Sequence, residues 1–218
     1  MGSITRSLSN NITTGGVILP AGITNDSVSA VTSFANASGG TLILLSTQTA
    51  SNSATISFTT GLDSTYDAYE FHFIEIHPRT DQVNFTFNMS TDSGSNYNVT
   101  KTTSYFSTYH NEADTGTQLA YDTNYDLAQS TAFQIIVEVI GNGADENACG
   151  TLQLYNPSST TYVKHFISNL NTLTYHDYSF SSYVAGYGNT TSAVNAIQFK
   201  MSSGNFDGVI KLYGVKKS

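Results

Sequence analysis

The stretch VNFTFNMS, residues 83–90, decides the fold class of this sequence. Every second side chain in it is apolar, namely Val83, Phe85, Phe87 and Met89. The positions between them carry Asn, Thr, Asn and Ser. Alternation with a period of two is typical of a strand with one face in a core and the other in solvent. The stretch therefore predicts a half-buried β-strand.

Similar segments recur after Thr41, separated by turn-forming residues. They are TLILL (41–45), ATISF (54–58), YEFHFIEIHP (69–78), FQIIVEVIG (133–141), GTLQLYNP (150–157), TYVKHFI (161–167), YSF (178–180), AIQFKMSSG (196–204) and GVIKLYGV (208–215). In the segment 133–141, alternation predicts a core face made of Phe133, Ile135, Val137 and Val139, with Gln134 and Glu138 opposite. So many short strands predict an all-β protein, a two-sheet antiparallel sandwich of jelly-roll-like type.

The segment 69–78 changes phase halfway along. Tyr69, Phe71 and Phe73 share one face, but Ile74 and Ile76 are the next apolar residues. A slip of one residue inside a strand is what a β-bulge produces. The polar residues therefore lie on one face before the slip, Glu70 and His72, and on the other face after it, Glu75 and His77. Because these side chains do not converge, the pattern favours an ordinary bulged strand over a metal or acid–base site.

Residues 1–40 differ from the rest of the chain. Gly, Ser, Thr and Asn dominate them, and their scattered apolar residues show no sustained period. We predict an extended N-terminal arm over 1–40, which becomes ordered against a partner, and a single sandwich domain over 41–218. A floppy terminus and a first strand of the domain are the alternatives. The residues predicted to contact the partner are Val17, Ile18, Leu19 and Ile23.

Charge restricts the classes of partner. Only 11% of the residues are charged, the net charge is −8, and no lysine precedes Lys101. Binding to nucleic acid or to an anionic membrane surface requires clustered cations, which this chain lacks. We therefore expect neither partner.

The sequence contains no motif that predicts catalysis, a metal or a cofactor. GxSxG, HExxH, CxxC and both glycine-rich phosphate-loop patterns are absent from it. Two Gly- and Asp-containing loops, 90–98 and 141–150, are weak candidates for calcium, although turn chemistry also accounts for them. We predict a non-enzymatic protein without a cofactor. A polysaccharide-cleaving enzyme that uses carboxylates such as Glu70 and Glu138 is the alternative.

Tyrosines are concentrated in two segments, TSYFSTYH (103–110) and TYHDYSFSSYVAGYG (174–188). Tyrosine offers a large rigid contact area and one hydrogen-bonding group, and is therefore common in recognition surfaces. The candidates for surface recognition, for instance by stacking on sugars, are Tyr105, Tyr109, Tyr183 and Tyr187. The alternative interpretation is that these tyrosines fill ordinary strand positions.

Two separated regions resemble a family of structural proteins of tailed bacteriophages. The first is STYDAYEFHFIEIHPRTD followed by FTFNMSTDSGSNYN, and the second is the terminal IQFKMSSGNFDGVIKLYGVKKS. The matching positions are Pro78, Asp81, Ser90, Asp92, Gly94, Ser95 and Tyr97, and then Gly208, Ile210, Leu212, Tyr213 and Gly214. The resemblance covers residues 40–218 and implies a virion protein with a jelly-roll-like body, located in the head, the tail or a fibre.

These observations together lead to one expectation and one rival. We expect a capsid decoration or cement subunit of a phage virion, anchored by residues 1–40, with other virion proteins such as the major capsid protein as its partners. By analogy, a homo-oligomer such as a trimer is expected. The rival is a tail-fibre or appendage domain that binds host glycans through the tyrosine-rich segments.

Overall fold

The computed structural model of the chain describes residues 41–216 and, before them, the backbone of two short paired strands, β1 (Ile12–Thr13) and β2 (Gly16–Val17). The rest of the predicted arm lies outside the described residues. Its extended conformation and the domain boundary at residue 40 stay predictions. Between residues 41 and 216 there is no helix long and apolar enough to cross a lipid bilayer.

The described body is built of twelve antiparallel strands. They are β3 (Leu42–Ser53), β4 (Ile56–Phe58), β5 (Ala68–Pro78), β6 (Val83–Ser90), β7 (Lys101–Asn111), β8 (Thr117–Tyr121), β9 (Gln134–Ile140), β10 (Ala148–Tyr155), β11 (Lys164–Leu173), β12 (Tyr178–Gly188), β13 (Ala196–Met201) and β14 (Phe206–Val215). They form one sheet of eight strands, in the order β3-β14-β5-β10-β11-β12-β7-β8, and one of four, in the order β4-β13-β6-β9.

Eight of these strands have the connectivity of a jelly roll. From β3 to β6 the chain alternates between the sheets, and it does so again from β9 to β10 and from β13 to β14. The resulting quartets, β3-β14-β5-β10 and β4-β13-β6-β9, are the two facing sheets of a double Greek key. The prediction of an all-β, two-sheet jelly-roll-like sandwich is confirmed.

Two hairpins widen the larger sheet. The hairpin β7–β8 follows β6, the hairpin β11–β12 follows β10, and all four strands are added beyond β10. The face of this sheet that is turned away from the four-stranded sheet is called the outer face below. It extends across eight strands, about 34 Å at the usual strand spacing.

Aromatic rings fill the space between the sheets. Phe199 on β13 lies 5.2 Å from Phe71 and 5.1 Å from Phe73, measured between ring centroids, and these two rings belong to β5 in the opposite sheet. Phe58, Phe85 and Phe87 complete the cluster around Phe199. All six rings are buried, so the alternation in the segments 54–58, 69–73, 83–90 and 196–201 correctly predicted these core positions. The prediction that the polar face of 83–90 lies in solvent is wrong, because Thr86, Asn88 and Ser90 are also buried.

The predicted bulge is present in β5. Phe73 and Ile76 pair with Gly150 and Ala148 of β10, so two residues of β5 stand opposite one of β10. Glu75 takes up the extra length with a φ of 52°. Ile76 points into the core as expected, but Ile74 is only half-buried.

Candidate functional site

Exposed apolar side chains are concentrated on the outer face. The strand register places seven there, namely Leu42, Leu44, Phe106, Leu119, Tyr121, Tyr155 and Ile167. Leu119 and Ile167 are 73% and 53% exposed. A soluble domain rarely leaves this many large apolar side chains on one face unless that face contacts something.

A groove crosses the outer face over the strands β10, β11, β12 and β7. Two small residues form its floor, Ala185 on β12 and Ser104 on β7, which pair with each other. On its other side Ala185 pairs with Ile167 of β11. Larger side chains surround this floor. One part of the groove has a volume of 560 Å³ and is bordered by Tyr155, His165, Ile167, Tyr187 and Thr102. We call the whole feature the outer-face groove.

The outer-face groove continues past Ala185 into a second part of 260 Å³. Phe106, Tyr183, Ile167 and Asn169 line this part. Phe106 and Tyr183 lie on neighbouring strands and their rings stack with centroids 4.9 Å apart and planes 10° apart. Ile167 and Ala185 border both parts, so the two parts lie next to each other on the outer face, with aromatic rings along both.

Polar groups along the groove differ in whether the protein already uses them. The Tyr155 hydroxyl donates to Gln153 Oε1 at 2.6 Å. In contrast, four side chains that project from the outer face here form no hydrogen bond with another residue within 41–216. They are His165, Asn169, Tyr183 and Tyr187. Among the described residues, none competes with a ligand for these groups.

The structure separates the four tyrosines predicted for recognition. Tyr183 and Tyr187 border the groove. The assignment of Tyr105 to the surface is wrong, because its side chain is completely buried. Tyr109 shares the inward side of β7, packs partly against the core and stacks on Tyr178 at 4.8 Å. Strand alternation in TSYFSTYH places Tyr105 and Tyr109 on the face opposite Phe106, but it does not indicate which of the two faces is buried.

The residues predicted to contact a partner through the arm fall almost wholly outside the described part of the chain. Ile18, Leu19 and Ile23 lie outside it. Val17 belongs to β2, where its backbone pairs with that of Ile12. Their role stays a prediction.

The polar residues before and after the bulge of β5 contact different neighbours. His72 Nε2 lies 2.7 Å from Glu70 Oε1, and Gln153 Nε2 donates to the other Glu70 oxygen at 3.0 Å. His77 Nδ1 lies 2.6 Å from the Glu146 carbonyl oxygen, beyond the bulge. Among residues 41–216, no group of three or more His, Cys, Asp or Glu side chains is arranged to hold a metal ion.

The two loops considered for calcium are closed by their own hydrogen bonds. Asp92 accepts hydrogen bonds from the hydroxyl of Ser90 at 2.6 Å and from the backbone N–H of Asn96 at 2.8 Å, and these lower the pKa of its carboxyl to about 2. In the second loop, the Glu146 carboxylate accepts from the backbone N–H of Gly143. Asp92 and Glu146 therefore act as turn-stabilising acceptors.

The carboxylates of Glu70 and Glu138 do not face each other. Glu70 lies on the outer face, whereas Glu138 projects between the sheets. Tyr105 donates to Glu138 Oε1 at 3.4 Å. Burial raises the pKa of Glu138, and hydrogen bonds from Tyr125 and Tyr105 oppose that rise. The two carboxylates therefore do not flank one cleft, as glycoside hydrolysis by a carboxylate pair requires.

Two lysines are buried at one end of the larger sheet. Lys101 and Lys164 are each fully buried and pair with Gly188 from its two sides. Lys101 Nζ donates to Asn88 Oδ1 at 2.6 Å and to the Val99 carbonyl at 2.7 Å. No carboxylate between residues 41 and 216 forms an ion pair with either lysine. Burial lowers the pKa of Lys101 to about 7 and also lowers that of Lys164.

Comparison with protein-family models, with curated proteins and with solved structures gave no match to this chain.

Proposed function

We propose that this protein is a non-enzymatic structural component of a tailed-bacteriophage virion, a decoration or cement subunit on the capsid exterior. The motifs around Pro78, Asp92 and Tyr213 that resemble phage structural proteins support this assignment. The jelly-roll topology is compatible with it, since this architecture is common in viral capsid proteins. A fold alone does not define a function, so a feature of this chain must carry the proposal.

That feature is the long edge strand β3. This strand has twelve residues, LILLSTQTASNS, and forms one edge of the eight-stranded sheet. Its sequence contains neither a charged residue nor a proline, which are the usual means of preventing edge-to-edge pairing. Within residues 41–216 its only strand partner in that sheet is β14. A long uncharged edge is favourable in a protein that assembles with neighbours.

The partner that we assign to this edge is a neighbouring subunit in the particle. Leu42 and Leu44 add 37% and 52% exposed apolar side chains beside the edge. Main-chain pairing would supply affinity, and these leucines would supply apolar contact. Residues 1–40 immediately precede β3, so an arm that binds the capsid would start next to this contact.

Assembly with the particle tests the arm and the edge separately. Deletion of residues 1–40 is expected to leave a folded domain that no longer joins particles produced without the natural subunit. A variant with aspartate in place of the four apolar residues Val17, Ile18, Leu19 and Ile23 is expected to have the same effect. The matched control replaces four polar residues of the arm, Thr5, Ser7, Ser9 and Thr24, by aspartate and should still join particles. Normal incorporation of the deletion variant would refute anchoring by the arm.

The edge is tested by lysine substitutions that block pairing. Thr47→Lys with Thr49→Lys on β3 should abolish incorporation, whereas Thr117→Lys on β8, at the other edge of the sheet, should not. Light scattering then reports whether the soluble chain is an oligomer. Equal incorporation of both variants would show that β3 makes no contact.

The location on the virion is tested by cryo-electron microscopy of the particle that carries this chain. Density distributed over the capsid lattice is expected. Density confined to the tail or fibre tips would replace the decoration assignment with an appendage, and a chain absent from purified particles would refute a virion role altogether.

A further inference from the structure

We propose that the outer-face groove is a binding site for a neutral saccharide. This site is distinct from the β3 edge and from residues 1–40. The groove lies over strands in the interior of the sheet: β10, β11 and β12 each pair with a strand on both sides. On the far side of β7, residues 101–105 already exchange backbone hydrogen bonds with residues 122–130. A ligand must therefore be recognised through side chains, and strand addition by a peptide is excluded at this position.

The lining of the groove indicates the charge of its ligand. None of the described residues that line either part is Lys, Arg, Asp or Glu. His165 is the one titratable side chain in the set apart from the tyrosines. An anionic ligand would find no cation to pair with and a cationic one no carboxylate. An uncharged ligand rich in hydroxyl groups is the chemical class that complements this surface.

The side chains of the groove offer the two kinds of contact that sugars require. The rings of Tyr155, Tyr187 and the stacked pair Phe106–Tyr183 are apolar walls against which the C–H face of a pyranose can lie. The uncommitted groups of His165, Asn169, Tyr183 and Tyr187 can exchange hydrogen bonds with hydroxyl groups, and they need not give up a bond within the protein to do so.

The size of the groove suits a short oligosaccharide. From Tyr155 on β10 to Phe106 on β7 is three strand spacings, or about 14 Å. The volume of its larger part, 560 Å³, falls in the usual range for ligand clefts. The small side chains of Ala185 and Ser104 leave the centre open, where larger side chains would divide it.

Affinity gel electrophoresis of the full-length chain tests the proposal, with dextran, mannan and galactan as neutral probes and alginate as the anionic comparison. At least one neutral polymer is expected to retard the chain. Tyr187→Ala and Tyr183→Ala should each weaken binding about three- to tenfold, as expected for loss of one aromatic contact. Ala185→Lys, which fills the solvent-facing floor, should weaken binding more than either.

The matched control is Tyr162→Ala, which removes a 72% exposed tyrosine that does not line the groove. Its binding should equal that of the unaltered chain. Failure of all three neutral polymers, preference for alginate, or binding that survives Ala185→Lys would overturn the proposal. Particle incorporation of Ala185→Lys is expected to be normal, so the saccharide site and the structural role can fail independently.

Discussion

Replacing Lys101 by methionine should remove most of the dependence of stability on pH between pH 7.5 and 9.5. Lys101 is buried without an ion-pair partner in the described part of the chain, and burial lowers the pKa of its ammonium group from 10.5 to about 7. Between these values the unfolded chain binds a proton that the folded chain has released. The free energy of unfolding must therefore rise with pH through this window.

The magnitude follows from the two pKa values of Lys101. The difference of 10.5 − 7 corresponds to about 5 kcal/mol in total at about 1.4 kcal/mol for each unit. Integrating the linkage relation from pH 7.5 to 9.5 gives a rise of about 2–3 kcal/mol. Lys164 contributes in the same direction because burial also lowers its pKa. Above pH 10 the buried Tyr105, whose pKa is raised by burial, reverses the trend.

Urea unfolding at pH 7.5, 8.5 and 9.5 measures this slope. Lys101→Met should retain only the contribution of Lys164. Lys211→Met is the matched control, since Lys211 lies on the outer side of β14 and is not buried, and it should keep the full slope. Identical slopes for the unaltered chain and Lys101→Met would refute the assignment of a depressed lysine pKa.

Two further changes probe the bulge and the core. Gly208→Ala should destabilise the fold by about 1–3 kcal/mol, because Gly208 has a φ of 134° and a Cβ there would lie 2.7 Å from the Glu75 carbonyl oxygen. In the control Gly116→Ala no atom lies closer than 3.6 Å to the new Cβ, so thermal melts should show almost no change in stability. Phe199→Ala should lower the free energy of unfolding, measured in urea, by about 3–5 kcal/mol, because it removes the ring at the centre of the aromatic cluster. Phe106→Ala, at a 42% exposed site, should lower it far less. Similar losses for the two variants would contradict the core assignment.

Alternation predicted the core wherever the inner face of a strand is purely apolar. The segment 83–90 has such a face, and Phe85, Phe87 and Met89 are fully buried. The bulge in β5 was also predictable, because one extra residue in a strand shifts the apolar positions by one, as happens between Phe73 and Ile76. These features arise from the contrast between apolar and polar side chains within one strand.

The same contrast was misleading for most of β9. Gln134, Ile136 and Glu138 are buried, although they were predicted to lie opposite the core. Of the four residues predicted for the core face, Val137 is fully buried, whereas Phe133, Ile135 and Val139 are half-exposed. The inner face of β9 packs against β11 and β12, and its polar side chains reach β7, where the Thr103 hydroxyl donates to Gln134 Oε1 at 2.6 Å and Tyr105 donates to Glu138. Polar groups that satisfy one another can occupy an interior. Only the partner strand reveals this, and β7 is distant in sequence.

The groove was partly predictable for a related reason. Tyr183 and Tyr187 stand out in the sequence because tyrosines are dense in 174–188, and a spacing of four residues places these two on the same face of a strand. Tyr155, His165 and Asn169 join them only through the pairing of β10, β11 and β12. The small residues Ala185 and Ser104, which open the groove, carry no signal of their own in the sequence.

The position of β14 has a consequence for how the chain can fold during synthesis. Residues 206–215 are inserted between β3 and β5, which leave the ribosome more than a hundred residues earlier. Until β14 emerges, no strand within residues 41–205 pairs with β3 in its sheet, so that part of the nascent chain supplies no partner for either edge of an uncharged strand. Such late, long-range pairing slows folding and exposes intermediates to aggregation. Closure of the sandwich is therefore expected only once residues 206–215 have left the exit tunnel, and chains that end before residue 206 should be recovered as aggregates.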